Sequence, residues 1–231
     1  MSGEMQPVPL TLIVAATRTN HAIGRASSLP WRLSNEMAYF ARMTKGELGS
    51  DAQSSTRHIN SVIMGRKSWQ GIPSRFRPLP DRVNVVVSRQ PDYELGESGS
   101  NTTHLANSIE GAINLLRTRA PDTNRHFLIG GAQLYNEALS SSSSRHGEVR
   151  STYLVDRVLL TRIDTDYPDC DTFLNPFMND TETWRRANHE ELVEWAGWQV
   201  PQGIQREKDK LVKGSDKWVE YEFEMWVRKS Q

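Results

Sequence analysis

Short runs of Val, Ile and Leu recur along most of the chain and are separated by segments with helical periodicity. The apolar runs predict strands over 10–17, 60–65, 82–89, 125–131 and 157–163. Runs this uniformly apolar are typical of strands buried on both faces of a parallel sheet. The intervening segments predict helices over 35–43, 67–71, 108–119, with Ser108 as the N-cap, and 132–139. The alternation indicates an α/β fold with a mostly parallel central sheet of about eight strands and about four flanking helices.

The C-terminal segment has a different pattern, because apolar and acidic residues alternate in WVEYEFEMWV. One face carries Val219, Tyr221, Phe223, Met225 and Val227, and the other carries Glu220, Glu222 and Glu224. A period of two with one polar face predicts a half-solvated antiparallel strand. We expect its partner near 185–195, so that the sheet includes a C-terminal antiparallel strand pair.

Three segments rich in Ser, Gly and charged residues interrupt this pattern, at 44–60, 91–103 and 140–152. Their composition buries too little apolar surface to pack a core, so we predict surface-loop insertions. The remaining chain shows no repeat and no convincing domain boundary, and a chain of 231 residues can form one core. The expectation is a single domain over 1–231.

Composition narrows the class of partner. Lys and Arg number 28 and Asp and Glu number 28, so no net field attracts nucleic acid or an anionic membrane. The longest N-terminal apolar run, LIVAA, is too short to span a bilayer, and no signal segment is recognisable. Cys170 is the only cysteine, which fits a reducing compartment. We therefore expect a cytoplasmic protein with a small-molecule partner, no metal, since no histidines have ligand spacing, and a monomeric state, since nothing forces a dimer.

One carboxylate interrupts an apolar helical stripe in SLPWRLSNEMAYFARM, residues 28–43. Helical spacing puts Glu36 on the same face as Phe40 and Met43. If that face is buried, Glu36 needs a partner, because an unpaired buried charge costs several kcal/mol. The alternative is that Glu36 only occupies the first helical turn, where the helix dipole favours acids.

Glycines stand where two predicted strands meet helices, at Gly65 in IMGRKSW and at Gly130 and Gly131 in FLIGGAQLY. A helix start offers free N–H groups, and glycine lets a phosphate approach the backbone closely. Two such starts suit a pyrophosphate, whereas the simpler alternative is that the glycines only turn the chain. The full GxGxxG fingerprint of the common dinucleotide fold is absent.

Cationic and hydroxyl side chains follow two of the predicted strands. Arg66 and Lys67 come after one strand, and Ser88 and Arg89 close the next. If these strand ends are adjacent, they form a small pocket suited to a phosphate monoester such as an adenosine 2′-phosphate. The alternative is that the arginines are merely solvated.

Six motifs occur in one order and together resemble the dihydrofolate reductase family. They are AIGRASSLPW, the acidic residue five positions after its Trp, MGRKSW, IPSRFRPLPDRVNVVVSR, LIGGAQLY, and LLTRI followed by CDTF. The resemblance runs from about Leu12 to Phe173 and looks closest to eukaryotic members, the fungal ones among them. It implies NADPH-dependent reduction of 7,8-dihydrofolate to 5,6,7,8-tetrahydrofolate, by hydride transfer to C6 and protonation of N5, in one-carbon metabolism and nucleotide synthesis.

The resemblance also implies roles for individual residues. Glu36 matches the family's active-site acid, which pairs with the 2-amino group and a ring N–H of the pterin, and Trp31 and Thr161 are hydrogen-bonding residues near it. The implied cofactor-binding residues are Ala15, Ile23 and Gly24 around the nicotinamide, Lys67, Ser68, Gly130 and Gly131 at the pyrophosphate, Arg66, Ser88 and Arg89 at the 2′-phosphate, and Ile129, Ala132, Gln133, Leu134 and Tyr135 beside them. Residues 22–28 would form a mobile covering loop. The implied substrate-binding residues are Glu36, Met37, Phe40, Ile72, Leu79 and Arg82, of which Arg82 would bind the α-carboxylate of the glutamate tail, and antifolates are the expected inhibitors.

Two other functions fit parts of the pattern. One is an NADPH reductase of the same fold that acts on a ribosylamino-pyrimidine in riboflavin synthesis. The other is a module that binds pterin and nucleotide without turnover. Glu36 after LPW, together with Arg82, favours a pterin with an acidic tail, and the intact Glu36 argues against a module without activity.

Overall fold

The computed structural model describes residues 6–45, 59–96, 102–141, 151–211 and 216–229. Within these ranges the chain forms eleven strands and five α-helices. The strands are β1 (Val8–Thr17), β2 (Ala22–Gly24), β3 (Ile59–Gly65), β4 (Arg82–Val87), β5 (Thr103–Ala106), β6 (Thr123–Leu128), β7 (Tyr153–Ile163), β8 (Thr172–Phe173), β9 (Trp184–Arg186), β10 (Ile204–Lys208) and β11 (Trp218–Arg228). The helices are α1 (Ser34–Thr44), α2 (Arg66–Gly71), α3 (Ile109–Arg119), α4 (Ala132–Ser141) and α5 (His189–Ala196).

The chain divides into two compact units. The first unit comprises Met1–Thr11 and Thr44–Asp156, and the second comprises Leu12–Met43 and Arg157–Gln231. The division falls within β1 and β7, so both strands contribute residues to both units. The single domain expected over 1–231 stays a prediction.

Parallel strands form the centre of the first unit, in the order β6, β3, β4, β5. All six positions of β4 are buried, as its valine-rich sequence predicts. Gly65 at the end of β3 lies opposite Val87 of β4, and Ile63 lies opposite Leu128 of β6. The residues that follow these three strands are therefore brought to one edge of the sheet.

Antiparallel strands dominate the second unit. β11 lies between β10 and β7 and pairs antiparallel with both, and the three-residue β9 pairs with the C-terminal part of β11. The ring of Tyr39 on α1 stacks on that of Phe223 on β11, with centroids 3.9 Å apart. This contact holds α1 against the sheet. β2 and β8 form a separate small pair.

The predicted fold class is confirmed: the protein is α/β, with a mostly parallel central sheet and antiparallel C-terminal strands. The five predicted strands correspond to β1, β3, β4, β6 and β7, and the four predicted helices to α1–α4. Ser108 is the N-cap of α3, because its Oγ accepts a hydrogen bond from the backbone N–H of Gly111 at 3.0 Å. α5 is an additional helix.

Two predictions about the C-terminal strand are confirmed only in part. Arg185 and Arg186 of β9 do pair antiparallel with β11, but the main partners of β11 are β7 and β10, and α5 begins at His189. Glu224 does not face solvent, since it is 2% exposed. It is accommodated because Arg162 of β7 and Arg186 of β9 lie 3.6 and 3.5 Å from its carboxylate oxygens and the Trp226 indole donates to it at 2.8 Å.

Most residues of the three predicted insertions lie outside the described part of the chain. These residues are 46–58, 97–101 and 142–150. Where the structure describes the chain, no helix is both long and apolar enough to cross a membrane. The same part of the chain contains no group of three or more His, Cys, Asp and Glu side chains that could hold a metal ion.

Candidate active site

Glu36 is buried in the first turn of α1, in the second unit. It is 7% exposed and shares the predicted apolar face with Met43, which is 4% exposed. The hydroxyl of Thr161 on β7 donates a hydrogen bond to Glu36 Oε1 at 3.2 Å. Burial raises the pKa of Glu36 to about 7; the hydrogen bond from Thr161 opposes this rise, and the negative charge of Glu207 adds to it. A carboxyl that titrates near neutral pH in a buried position is suited to acid–base chemistry.

A glutamate on β10 anchors the helix that carries Glu36. The backbone N–H groups of Ser34, Asn35 and Glu36 donate to the Glu207 carboxylate at 2.7, 3.1 and 3.2 Å. The phenol of Tyr221 donates to the same carboxylate at 2.9 Å. Glu207 is thus an N-terminal cap supplied from 171 residues away. The sequence reasoning missed it, because it lies in a charged run that has the pattern of a solvated loop.

The residues just before α1 are fixed in a similar way. Asp209 accepts hydrogen bonds from the Arg32 backbone N–H at 2.9 Å and from the Tyr167 phenol at 3.0 Å. Trp31 packs against the ring of Tyr167, with centroids 5.2 Å apart. Its buried indole N–H has no hydrogen-bond partner among the described residues, so it is a candidate donor to a ligand. Glu207 and Asp209 are two residues apart, a spacing that puts both side chains on one face of an extended chain and could have indicated that they act together.

The predicted nicotinamide residues also lie in the second unit. Ala15 is half-buried on β1, and Ile23 and Gly24 are buried on β2. Gly24 lies opposite Thr172 of β8, and a Cβ added at Gly24 would come 3.4 Å from the Thr172 Cβ. Residues 25–28 form a tight turn, in which Arg25 and Ser28 exchange backbone hydrogen bonds. The mobility expected of 22–28 stays a prediction.

In the first unit, glycines and Ser68 form a narrow recess where β3 and β6 end. The N–H of Gly65 donates to the carbonyl of Gly130 at 2.7 Å, and the Gly130–Gly131 peptide bond is cis. A Cβ added at Gly130, whose φ is +140°, would come 2.8 Å from Ser68 Oγ. α4 begins directly after this recess at Ala132, so its first N–H groups point out of the helix start. A bare backbone, a hydroxyl and a helix start fit a phosphate group.

The cationic residues after β3 and β4 are brought to the same edge of the first unit. Because Gly65 lies opposite Val87, Arg66 and Ser88 follow neighbouring strands at the same level. Arg66 lies over the ring of Tyr93, with 5.8 Å between its guanidinium carbon and the ring centroid. Ser88 is buried, whereas Arg89 is exposed. The predicted adjacency of these strand ends is confirmed.

Arg82 is a buried cation at the start of β4, and it is 4% exposed. Its Nε donates to the carbonyl of Pro80 at 2.9 Å and its Nη1 to Thr44 Oγ1 at 2.6 Å. Burial lowers the pKa of Arg82 to about 10, opposed by the nearby Asp81 charge, so the side chain stays cationic at neutral pH. Asn84, which sequence reasoning missed, ties this turn together through hydrogen bonds to the Leu79 backbone N–H at 3.0 Å and carbonyl at 2.9 Å.

The predicted apolar substrate residues differ in exposure. In the second unit, Met37 is 46% exposed and Phe40 is half-buried on α1. In the first unit, Ile72 and Leu79 are half-buried after α2. Partial exposure leaves each of them apolar surface that a ligand could cover.

Comparisons with known proteins show which family the chain is similar to. A family model described as dihydrofolate reductase matches residues 10–196. The chain is 41% identical to the dihydrofolate reductase of Cryptococcus neoformans, covering 94% of each chain. It is 39% identical to that of Pneumocystis carinii, covering 96% of this chain and 98% of the relative, and 35% identical to that of Candida albicans, covering 95% and 97%.

The family match and the named relatives identify an oxidoreductase that uses a nicotinamide cofactor. The chain belongs to the dihydrofolate reductase family. The resemblance seen in its motifs is thereby confirmed, including its closeness to fungal members. The matches carry the name dihydrofolate reductase, which favours this family over the pyrimidine reductase of the same fold.

Proposed function

We propose that this chain reduces 7,8-dihydrofolate to 5,6,7,8-tetrahydrofolate with NADPH. The observation that carries the proposal is the buried carboxyl of Glu36, whose pKa is raised to about 7 and whose Oε1 accepts a hydrogen bond from Thr161. Such a group needs a ligand that compensates its charge. The 2-amino group and ring N–H of a pterin offer two parallel donors, which a carboxylate accepts as a bidentate pair.

Glu36 has two tasks in this proposal. As the anion it binds and orients the pterin, and the two donors favour its ionised form. Its negative charge, held in a buried environment, makes the ring more basic and so favours a proton on N5. Trp31 and Thr161 act on Glu36 and the ligand through hydrogen bonds.

The cofactor-binding residues described above would each contact a different part of NADPH. When bound, NADPH supplies the hydride that C6 of the pterin accepts. Lys67, Ser68, Gly130 and Gly131 would bind its pyrophosphate, with α4 offering its N-terminus. Arg66, Ser88 and Arg89 would bind the 2′-phosphate, since guanidinium groups match phosphate oxygens in pairs. Ala15, Ile23 and Gly24 would contact the nicotinamide, and Ile129 and the residues 132–135 would lie beside the cofactor.

The proposed substrate-binding residues combine a buried cation with partly exposed apolar side chains. Arg82 would bind the α-carboxylate of the glutamate tail, because it stays cationic at neutral pH. Met37, Phe40, Ile72 and Leu79 would contact the benzoyl group. Antifolates whose heterocycle offers donors like those of the pterin would compete for Glu36. We further propose a monomer that works in the cytoplasm, which sedimentation and cell fractionation would test.

A spectrophotometric assay tests the reaction. The absorbance of the reduced nicotinamide should fall when dihydrofolate and NADPH are mixed with the chain, and methotrexate should abolish the change. Glu36→Gln should fold and bind NADPH but lose most turnover near neutral pH, because the amide cannot carry the negative charge. Turnover retained by Glu36→Gln would reject the role of Glu36, and no turnover by the parent would reject the proposed reaction.

A second variant tests the choice of NADPH over NADH. Arg89→Ala should weaken NADPH binding at least about tenfold, since a charge-assisted contact to phosphate is worth roughly 1.5–3 kcal/mol. NADH, which lacks the 2′-phosphate, should bind Arg89→Ala and the parent alike. Arg75→Ala removes another exposed arginine of the first unit and serves as the control. Equal losses for both cofactors would remove Arg89 from the 2′-phosphate site.

A further inference from the structure

Two carboxylates lie at the first turn of α1. Glu36 belongs to the helix, and Glu207 belongs to β10. Glu207 accepts hydrogen bonds from the N–H groups of Ser34, Asn35 and Glu36 itself. Both carboxylates are buried, with Glu36 7% and Glu207 8% exposed. The nucleotide- and pterin-binding roles proposed above do not use Glu207.

An acid in this position has two physical effects. Its oxygens satisfy N–H groups that a helix start leaves unpaired, and its charge is stabilised by the positive end of the helix dipole. The same negative charge repels the ionised form of Glu36. A serine or asparagine N-cap would give the first effect without the second.

We propose that Glu207 is a positioning residue for Glu36: it fixes the first turn of α1 through three backbone N–H groups, and its charge opposes ionisation of the neighbouring carboxyl. The proposal rests on the proposed function, since it assigns Glu207 to the site at which the pterin would bind. Glu207 is expected to touch neither substrate nor cofactor.

The other groups that act on Glu36 come from three elements. On α1 itself, Tyr39 lies one turn further on, and the pKa of its phenol is raised chiefly by burial and also by the charge of Glu36. On β7, Thr161 donates to Glu36. On β11, Tyr221 donates to Glu207, and the pKa of its phenol is raised chiefly by burial, then by Glu207, and to a smaller extent by the charge of Glu36. Beyond these elements, the ammonium of Lys210 donates to the hydroxyl of Ser34, the first residue of α1, at 2.9 Å.

The Tyr221 hydrogen bond gives the pair a further feature. By donating to Glu207, the phenol offsets part of the negative charge that Glu36 experiences. Removing the charge of Glu207 and removing the phenol should therefore change the ionisation of Glu36 in opposite directions. A purely structural cap would not produce this opposition.

The test follows the ionisation of Glu36 directly. Glutamate labelled with ¹³C at the side-chain carboxyl is incorporated into the full chain, and the Glu36 resonance is identified by its loss in Glu36→Gln. In the parent it should titrate with a midpoint of about 7. In Glu207→Gln, which keeps a carbonyl oxygen for the helix N–H groups but loses the charge, the midpoint should move to lower pH.

Glu220→Gln is the matched control, because Glu220 is an exposed glutamate on β11 opposite Arg206 of β10. It should leave the Glu36 midpoint where the parent has it. An unchanged midpoint in Glu207→Gln, or an equal shift in Glu220→Gln, would overturn the proposal. Should Glu207→Gln fail to fold, Tyr221→Phe decides: a midpoint moved to higher pH supports the proposal, and an unchanged one overturns it.

A kinetic measurement separates this inference from the proposed function. The limb of the kcat/KM profile for dihydrofolate that reports Glu36 should move to lower pH in Glu207→Gln, together with the resonance. If the resonance shifts but the parent has no turnover, the proposed function fails and the role of Glu207 stands. If turnover is normal and neither the resonance nor the profile shifts, the role of Glu207 fails alone.

Discussion

Glu36 and Arg82 are buried charged residues that meet the cost of burial in opposite ways. Arg82 keeps its charge, because a guanidinium whose pKa falls to about 10 is still protonated at neutral pH and its N–H groups bond to Pro80 and Thr44. Glu36 has one hydrogen bond from Thr161 and a pKa of about 7, so it is easily neutralised. Arg82 is therefore suited to hold an anion, whereas Glu36 is suited to gain or lose a proton and to bind hydrogen-bond donors of a ligand.

Arg82→Ala should raise the KM for dihydrofolate roughly 10- to 100-fold, because a charge-assisted hydrogen bond is worth about 1.5–3 kcal/mol. A pterin without the glutamate tail should be used as well by the variant as by the parent. Steady-state kinetics with both substrates checks this. Arg75→Ala is the control, since Arg75 is an exposed arginine of the same unit. An equal loss with the tailless pterin would mean that Arg82 supports the fold and not the tail.

At the scale of elements, polar and charged side chains fix the start of a helix in a segment that the sequence analysis did not predict to be helical. α5 begins with a capping box, in which Asn188 Oδ1 accepts from the Glu191 N–H and the Glu191 carboxylate accepts from the Asn188 N–H, each at 2.8 Å. An Asn followed three residues later by Glu is a helix-start signal that the sequence offered. It was missed because the segment 185–195 was predicted to contain the partner of the C-terminal strand.

Asn188→Ala should lower the free energy of unfolding by about 1 kcal/mol, the usual effect of losing a side-chain N-cap. Urea unfolding followed by circular dichroism measures this difference. Glu194→Ala is the control, because Glu194 is exposed in the same helix and lies outside the box. If both variants lose the same stability, the capping box contributes nothing beyond ordinary helix propensity.

The sequence predicted elements well where a single segment carries the signal. The apolar runs located β1, β3, β4, β6 and β7, and the helical stripe placed Glu36 inside α1. The partners of Glu36 and of the C-terminal strand depend on contacts between distant segments, which no local period encodes. Glu207 and Glu224 illustrate this, since each is a glutamate in a polar pattern that becomes buried only when another strand or helix supplies its counterpart.

At the scale of the whole molecule, a buried carboxyl and a half-buried imidazole link stability to pH with opposite signs. Glu36, in the second unit, has its pKa raised from 4.5 to about 7, chiefly by burial. His126, in the first unit, has its pKa lowered from 6.5 to about 4, chiefly by burial and also by the Arg117 charge, and its Nδ1 lies 2.8 Å from the Ser61 hydroxyl. The two titration windows overlap.

The sign of each effect follows from which state binds more protons. Between pH 4.5 and 7 the folded chain keeps the Glu36 proton that the unfolded chain releases, so this contribution to stability is lost as the pH rises. Between pH 6.5 and 4 His126 binds a proton in the unfolded chain but not in the folded chain. The contribution of His126 to stability is therefore lost as the pH falls. Each amounts to about 3 kcal/mol at most, and in the overlap they offset each other.

Single substitutions should separate the two effects. Glu36→Gln should match the parent near pH 4 and exceed its stability by up to about 3 kcal/mol near pH 8, since the amide has no proton to lose. His126→Gln should gain stability relative to the parent as the pH falls from 6.5 to 4, whatever its constant cost at neutral pH. Urea unfolding at a series of pH values gives both differences. A difference that stays constant with pH for either variant would show that the residue does not titrate differently in the folded and unfolded chain.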